Sequence, residues 1–254
     1  MNTVKQKLKQ GKVVVGTWMQ IPSKDVAEII ASSNFDFCAV DMEHTEIDMK
    51  VTSEIFSGLQ KSQCIPAARV SSNTVMDIRK PLDLGAQIII VPLVNGEEDA
   101  RNAVHYAKYP PEGVRGFAFC RANNWGKDFD EYVKSINEEI LVFAMVESRD
   151  AVEHIDEILS VEGIDGVFVG PYDLSGSFGI VGQTDHPVIK KSLKKVVDAC
   201  KLHNKVAGQH IVLPTEEAIC TAIEQGYKFI VLGIDAVFMR QGLDRCKEIV
   251  ESVE

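Results

Sequence analysis

Two acidic residues stand at the ends of two strand-like apolar runs. Glu147 closes Ile140-Leu141-Val142-Phe143-Ala144-Met145-Val146, and Asp173 follows Gly166-Val167-Phe168-Val169-Gly170-Pro171-Tyr172. Between the runs, residues 148–161 set Val152, Ile155, Ile158 and Leu159 on one helical face, so the unit reads strand, helix, strand. Strands joined in this way lie parallel with a right-handed crossover, which brings both carboxylates to the same end of neighbouring strands. Two converging carboxylates form a hard-oxygen site for a divalent cation, with water or substrate completing the shell. Each could also cap the helix that follows it, and the pair alone leaves both readings open.

The elements that must carry these residues follow from the alternation along the chain. Strands are expected at 13–19, 37–40, 65–68, 88–91, 140–147, 166–169, 206–211 and 229–232, each a short run rich in β-branched or apolar residues. Helices are expected from Ser23, a plausible N-cap, and at 50–62, 74–84 with Gly85 as its stop, 96–108, 129–137, 148–161, 188–203, 214–225 and 236–253. Residues 109–126 are too long and too rich in Gly, Pro, Arg and Asn for a routine connection; loops of this kind are usually functional or disordered. Eight strands alternating with helices in 254 residues is the pattern of a single-domain α/β protein, the (β/α)8 TIM barrel.

Composition narrows the classes. A 45% hydrophobic content supports a large core, and no linker, low-complexity tract or repeat divides the chain into domains. Residues 1–12 are polar and basic with no signal-peptide core behind them, and no later run could span a bilayer, so a cytoplasmic protein without a membrane partner is expected. Six scattered cysteines without CxxC spacing read as reduced side chains rather than a disulfide or zinc framework. A formal net charge of -10 argues against nucleic acid as a partner.

In such a barrel the carboxyl ends of the strands share one mouth, where active sites are built. Asp41, Glu43 and His44 after the second strand, Arg69 after the third, Glu147 after the fifth and Asp173 after the sixth would all converge there. The set combines candidate metal carboxylates, a guanidinium for an anion and a histidine suited to proton transfer near neutrality. That is the equipment for making an enolate beside a cation, which would polarise a 2-oxo acid while Arg69 met the developing negative oxygen.

Several motifs also carry a resemblance: Ala39-Val40-Asp41-Met42-Glu43-His44, Pro66-Ala67-Ala68-Arg69-Val70, Leu82-Asp83-Leu84-Gly85-Ala86-Gln87, Tyr109-Pro110-Pro111-Glu112-Gly113-Val114-Arg115-Gly116, Val146-Glu147-Ser148, and the run from Gly163 to Ser175. Together they resemble the HpcH/HpaI family of metal-dependent (class II) pyruvate aldolases, such as the 2-dehydro-3-deoxyglucarate and 4-hydroxy-2-oxoheptanedioate aldolases. The resemblance implies a divalent cation (Mg, Mn or Co) on Glu147 and Asp173, and a 2-oxo acid held by Arg69, with backbone N–H groups near Tyr172 and Asp173 receiving its carboxylate. It further implies His44 as acid/base, with Asp41 and Asp83 as its polar supports. It also implies a homo-oligomer, hexamer or trimer, that exchanges the C-terminal helix between subunits. The implied reaction is reversible cleavage of a 4-hydroxy-2-oxo acid, of the 2-keto-3-deoxy sugar acid type, to pyruvate and an aldehyde. Met145, Met42 and Tyr172 depart from the family pattern, and their bulk points to a narrowed or redirected pocket.

Other side chains divide less sharply. His105, His154 and His203 lie on expected helices and read as surface residues, whereas His210 ends a strand and reads equally as a binding or a packed histidine. Arg115 and Arg121 could meet a substrate carboxylate or tie down the long loop, and Trp18 and Trp125 read more readily as packing. No strand-end lysine suggests Schiff-base chemistry. Two alternatives remain: another enolate-forming lyase, acting on malyl or citramalyl thioesters or decarboxylating an oxo acid, and a non-catalytic binding protein.

Overall fold

The computed structural model describes residues 2–60 and 62–253. The chain starts with helix α1 (Thr3–Lys9), followed by β1 (Val14–Met19), α2 (Lys24–Ser32), β2 (Phe37–Asp41), α3 (Met49–Leu59), β3 (Ile65–Arg69), α4 (Val75–Leu84), β4 (Ile88–Val91) and α5 (Glu97–Ala107). After the long loop come α6 (Phe129–Glu139), β5 (Leu141–Val146), α7 (Arg149–Glu153), α8 (Ile155–Ser160), β6 (Gly166–Val169), α9 (Pro171–Ser177), α10 (Pro187–Leu202), β7 (Val206–Ile211), α11 (Glu216–Gln225), β8 (Phe229–Ile234) and α12 (Asp235–Glu251). The eight strands are all parallel and close into a barrel in sequence order, the expected (β/α)8 architecture.

Two shells of apolar side chains hold it together. Outward-facing strand residues such as Val40, Ala68, Ile89, Val142 and Val167 pack against the helices, while inward-facing ones fill the barrel. The interior layer is aromatic: Phe37 and Phe143 stack on Phe229 with centroids 4.2 and 4.3 Å away. Rings this large fit because some neighbouring strands present no side chain. A Cβ on Gly16 would lie 2.4 Å from the Phe37 ring, and one on Gly166 would lie 2.2 Å from the Val206 carbonyl oxygen. The aromatic floor seals the barrel and leaves the carboxyl ends of the strands to build a site.

Helix α1 was not foreseen. Its segment offers only Val4 and Leu8 as apolar residues at helical spacing, but these plug the amino end of the barrel beside Phe37 and Phe143. Asn2 caps it through Lys5 N–H and donates to the carbonyls of Gln87 and Glu139. The single helix expected at 148–161 is broken at His154 into α7 and α8. The helix expected at 50–62 ends at Leu59, and Lys61 lies outside the described residues. The run after β6, which carries Asp173, forms the short helix α9, with Pro171 in its first turn.

The long loop lies away from the mouth. It leaves α5 at the amino end of the barrel and crosses the carboxyl ends of α3 and α4, where Arg121 donates to Gln60 and Arg115 pairs with Asp83 at 2.8 Å. Arg115 is fully buried between the rings of Tyr109 and Tyr132, 4.6 and 5.7 Å from their centroids. Of the two readings open for Arg115, the structure supports the tie. Asp83, expected to support His44, sits in the last turn of α4, and its partner within this chain is Arg115.

Candidate active site

Parallel pairing of β2 with β3 sets Asp41 directly beside Arg69 at the mouth. The carboxylate takes the guanidinium along one edge, Nε to Oδ1 at 3.0 Å and Nη2 to Oδ2 at 2.6 Å. Such a two-point pair fixes the plane of the group as well as its charge. The guanidinium stacks over Trp18 of β1, 4.8 Å from its centroid. Its remaining nitrogen, Nη1, lies 3.3 Å from Oε2 of Glu43. Asp41 is itself completely buried and also accepts from Gln20 Nε2 at 2.9 Å and from the backbone N–H groups of Glu43 and His44. Burial alone would raise its carboxyl, but the hydrogen bonds and charge of Arg69, with help from Gln20 and Glu43 N–H, hold it down at about 2. Asp41 therefore acts on Arg69 and on the turn that carries His44, rather than on the His44 ring.

A further clamp anchors this assembly from the other end of the chain. Asp235, the first residue of α12, accepts the backbone N–H groups of Gln20 and Ile21, both at 2.9 Å. Gln20 is thus held by its backbone to α12 and by its side chain to Asp41.

Across the mouth, Glu147 is buried at the end of β5, and its Oε1 accepts the Leu93 N–H at 2.8 Å. Leu93 presents that N–H from a left-handed backbone, φ 55°, just after Pro92. Burial pushes the Glu147 carboxyl up, the Leu93 hydrogen bond opposes this, and the negative charges of Glu43 and Asp173 add to the rise. Glu43 is likewise raised, first by burial and further by Asp41 and Asp173, against the pull of Arg69 and His44. Its Oε2 is sealed from solvent without a hydrogen bond.

Three acidic groups that repel one another, one with a buried oxygen that has the charge of Arg69 beside it but no hydrogen bond, form a donor set that a hard divalent cation would satisfy. Among the described residues no three His, Cys, Asp or Glu side chains are grouped tightly enough to enclose an ion. The set therefore fits an open site, in which Glu147 and Asp173 would share the ion with non-protein ligands. Asp173 sits in the first turn of α9, exposed, beside Tyr172, whose ring lies over Gly182.

His44 stands on the turn after β2 with most of its side chain exposed, its Nε2 3.9 Å from Glu43 Oε2. His210 of β7 faces inward: its ring stacks on Trp18 at 5.3 Å and its Nε2 bonds the Gly233 carbonyl at 3.0 Å. Arg69, Asp41, Glu43, His44, Glu147 and Asp173 thus meet at one mouth, Tyr172 stands exposed beside Asp173 on α9, and Asp83 lies in the last turn of α4. Gln20 and Leu93 escaped the sequence reading. Gln20 had the signal of a polar residue one step beyond a strand, whereas Leu93 acts through its backbone, for which Pro92 is the nearest cue.

Comparison with known proteins covers nearly the whole chain. Residues 15–242 match the family model described as HpcH/HpaI aldolase/citrate lyase. A pyruvate aldolase of Rhizobium etli is 35% identical over 95% of this chain and 94% of its own length. A 4-hydroxy-2-oxo-heptane-1,7-dioate aldolase of Shigella sonnei is 31% identical over 96% and 92%. A crystal structure of an HpcH/HpaI aldolase/citrate lyase family protein from Burkholderia cenocepacia superposes with a TM-score of 0.94 at 27% identity, covering 99% of this chain and 100% of the other.

Proposed function

Because the chain belongs to the HpcH/HpaI aldolase/citrate lyase family, we propose that it is a pyruvate aldolase, a carbon-carbon lyase that reversibly cleaves a 4-hydroxy-2-oxo acid to pyruvate and an aldehyde. The observation that carries this reading is the clamped guanidinium of Arg69 facing the acidic cluster of Glu43, Glu147 and Asp173 across one mouth. Glu147 and Asp173 would hold a divalent cation, Mg, Mn or Co, which when bound supplies Lewis-acid polarisation of the substrate carbonyl.

The chain's own residues account for the remaining work. Arg69 is held by Asp41 and Trp18 so that Nη1 can donate to the substrate oxygen as negative charge builds there, with no reorganisation at the moment of reaction. His44, exposed on its turn, takes the C4 hydroxyl proton through water and returns a proton to the methylene carbon of the nascent pyruvate. First-turn N–H groups at Tyr172 and Asp173 lack intrahelical acceptors and would receive the substrate carboxylate. Asp83 is left out of this scheme within one chain.

The exposed apolar residues of α12, among them Met239, Leu243, Ile249 and Val250, support a homo-oligomer in which a neighbouring subunit covers the last helix. Among the described residues no helix is long and apolar enough to cross a membrane.

The test is exchange of the pyruvate methyl protons in heavy water, followed by NMR with added Mg²⁺ or Mn²⁺ and with chelator. Metal-dependent exchange that is lost in Glu147→Ala and reduced in His44→Ala is the expected result. No exchange by the folded, metal-supplemented protein would refute the reading.

A further inference from the structure

His210 has a chemistry that the reaction scheme above leaves unused. Its Nε2 faces a carbonyl oxygen, Gly233 O at 3.0 Å, and a carbonyl can only accept, so Nε2 carries the ring proton. In the neutral ring Nδ1 is then a bare acceptor, and it takes no hydrogen bond from the described residues. The ring cannot turn away, because it lies nearly parallel on Trp18, 17° between planes, and Trp18 is itself wedged between Phe168 and the Arg69 guanidinium. The charges that bear on it come from Arg69 and Asp41; burial first, and then Arg69, pull the ring below the ordinary histidine range, against the Gly233 hydrogen bond and Asp41.

The surroundings restrict what Nδ1 can meet. The mouth already holds Asp41, Glu43, Glu147 and Asp173 against Arg69, whose guanidinium pairs with Asp41 and Glu43 and whose Nη1 the scheme above commits to the reacting oxygen. The strand ends nearest His210 read Gln209-His210-Ile211-Val212-Leu213 and Leu232-Gly233-Ile234, without a lysine or arginine. A second carboxylate on the substrate would meet a lone pair and no free cation there, whereas a hydroxyl would meet an acceptor.

Resting on the lyase reading, we infer that His210 is a specificity-determining residue whose Nδ1 accepts a hydrogen bond from a hydroxyl of the aldehyde half of the substrate. The chain accordingly prefers uncharged hydroxyaldehydes over their deoxy analogues and over aldehydes bearing a carboxylate.

The experiment measures kcat/KM for aldol addition of pyruvate to glycolaldehyde, acetaldehyde and succinate semialdehyde, with wild type and with His210→Leu and His210→Asn. One well-made hydrogen bond to a neutral acceptor corresponds to a preference of about tenfold for glycolaldehyde over acetaldehyde. That ratio should collapse toward one in His210→Leu, which keeps bulk but no acceptor. It should survive in part in His210→Asn, whose amide keeps an acceptor oxygen near the place of Nδ1. Because acetaldehyde is the internal reference, a general loss of stability lowers both rates and leaves the ratio unmoved. A wild-type ratio near one, a ratio unchanged in His210→Leu, or a preference for succinate semialdehyde would each overturn the assignment. If pyruvate alone exchanges its methyl protons while any of these is found, only the assignment to His210 fails. If no exchange occurs, the lyase reading fails and the assignment falls with it.

Discussion

Replacing Asp41 with Asn tests whether the ion pair under the mouth stabilises the fold as its geometry implies. The Asp41 carboxyl lies at about 2 against an ordinary 3.8, so its ionised form is favoured in the folded chain. At about 1.36 kcal/mol per pH unit, the difference corresponds to roughly 2.5 kcal/mol of stability at neutral pH. The folded value is the lower one, so this stability is fully present above about pH 4.5 and drains away as the pH falls toward 2. For a chain of this size the loss amounts to a drop in Tm of about 5–10 °C. The assay is urea unfolding of wild type and Asp41→Asn with chelator present, at steps from pH 7 down to the acid limit of folding. The gap between the two proteins should be flat from pH 7 to about pH 4.5 and narrow below that. A gap under about 0.5 kcal/mol at pH 7, or one that persists unchanged into acid, would refute the reasoning, the second because it would point to a packing defect rather than a lost charge.

Two further substitutions probe the frame around the site. Arg115→Ala strips Asp83 of its buried partner and empties the space between Tyr109 and Tyr132, so a loss of roughly 3 kcal/mol is expected. Faster tryptic cleavage at Arg121 or Lys127 would report the freed loop, and an unchanged digestion pattern would count against the tie. Gly166→Ala drives a methyl group to within 2.2 Å of the Val206 carbonyl oxygen and 2.8 Å of the Phe143 ring, so a loss of more than about 2 kcal/mol is expected in chemical denaturation. Wild-type stability in that variant would show that β6 and β7 can part without cost.

The barrel was legible because its strands are short buried runs ended by polar or Gly/Pro punctuation, and the residues just past those ends form the mouth by topology alone. Arg69, Asp41, Glu43, His44 and Glu147 could be brought together on that basis. What the sequence hid falls into two kinds. Helix α1 carries only two apolar residues, and α9 is seven residues of Pro, Gly and Ser among others, so neither reaches the length at which periodicity speaks. Asp83, Gln20 and Leu93 depend on contacts far apart in sequence: a salt bridge across 32 positions, a side chain reaching 21 residues to Asp41, and a backbone N–H 54 residues from Glu147. Spacing rules cannot reach such partners. The composition of the long loop marks it as unusual but leaves its face open, and the end of the barrel at which α5 terminates decides it.

The Asp235 clamp has a practical consequence for anyone handling this protein. The carboxylate that starts α12 holds the backbone of Gln20, the side chain of Gln20 holds Asp41, and Asp41 aligns Arg69. The last helix is therefore no removable appendage. Trimming it back past Asp235, or fusing a bulky partner hard against its root, would reach the guanidinium through three hydrogen-bonded links without touching any group that meets substrate. Damage of that kind would show first as impaired turnover in a protein that still folds, and a screen that scored expression alone would pass it.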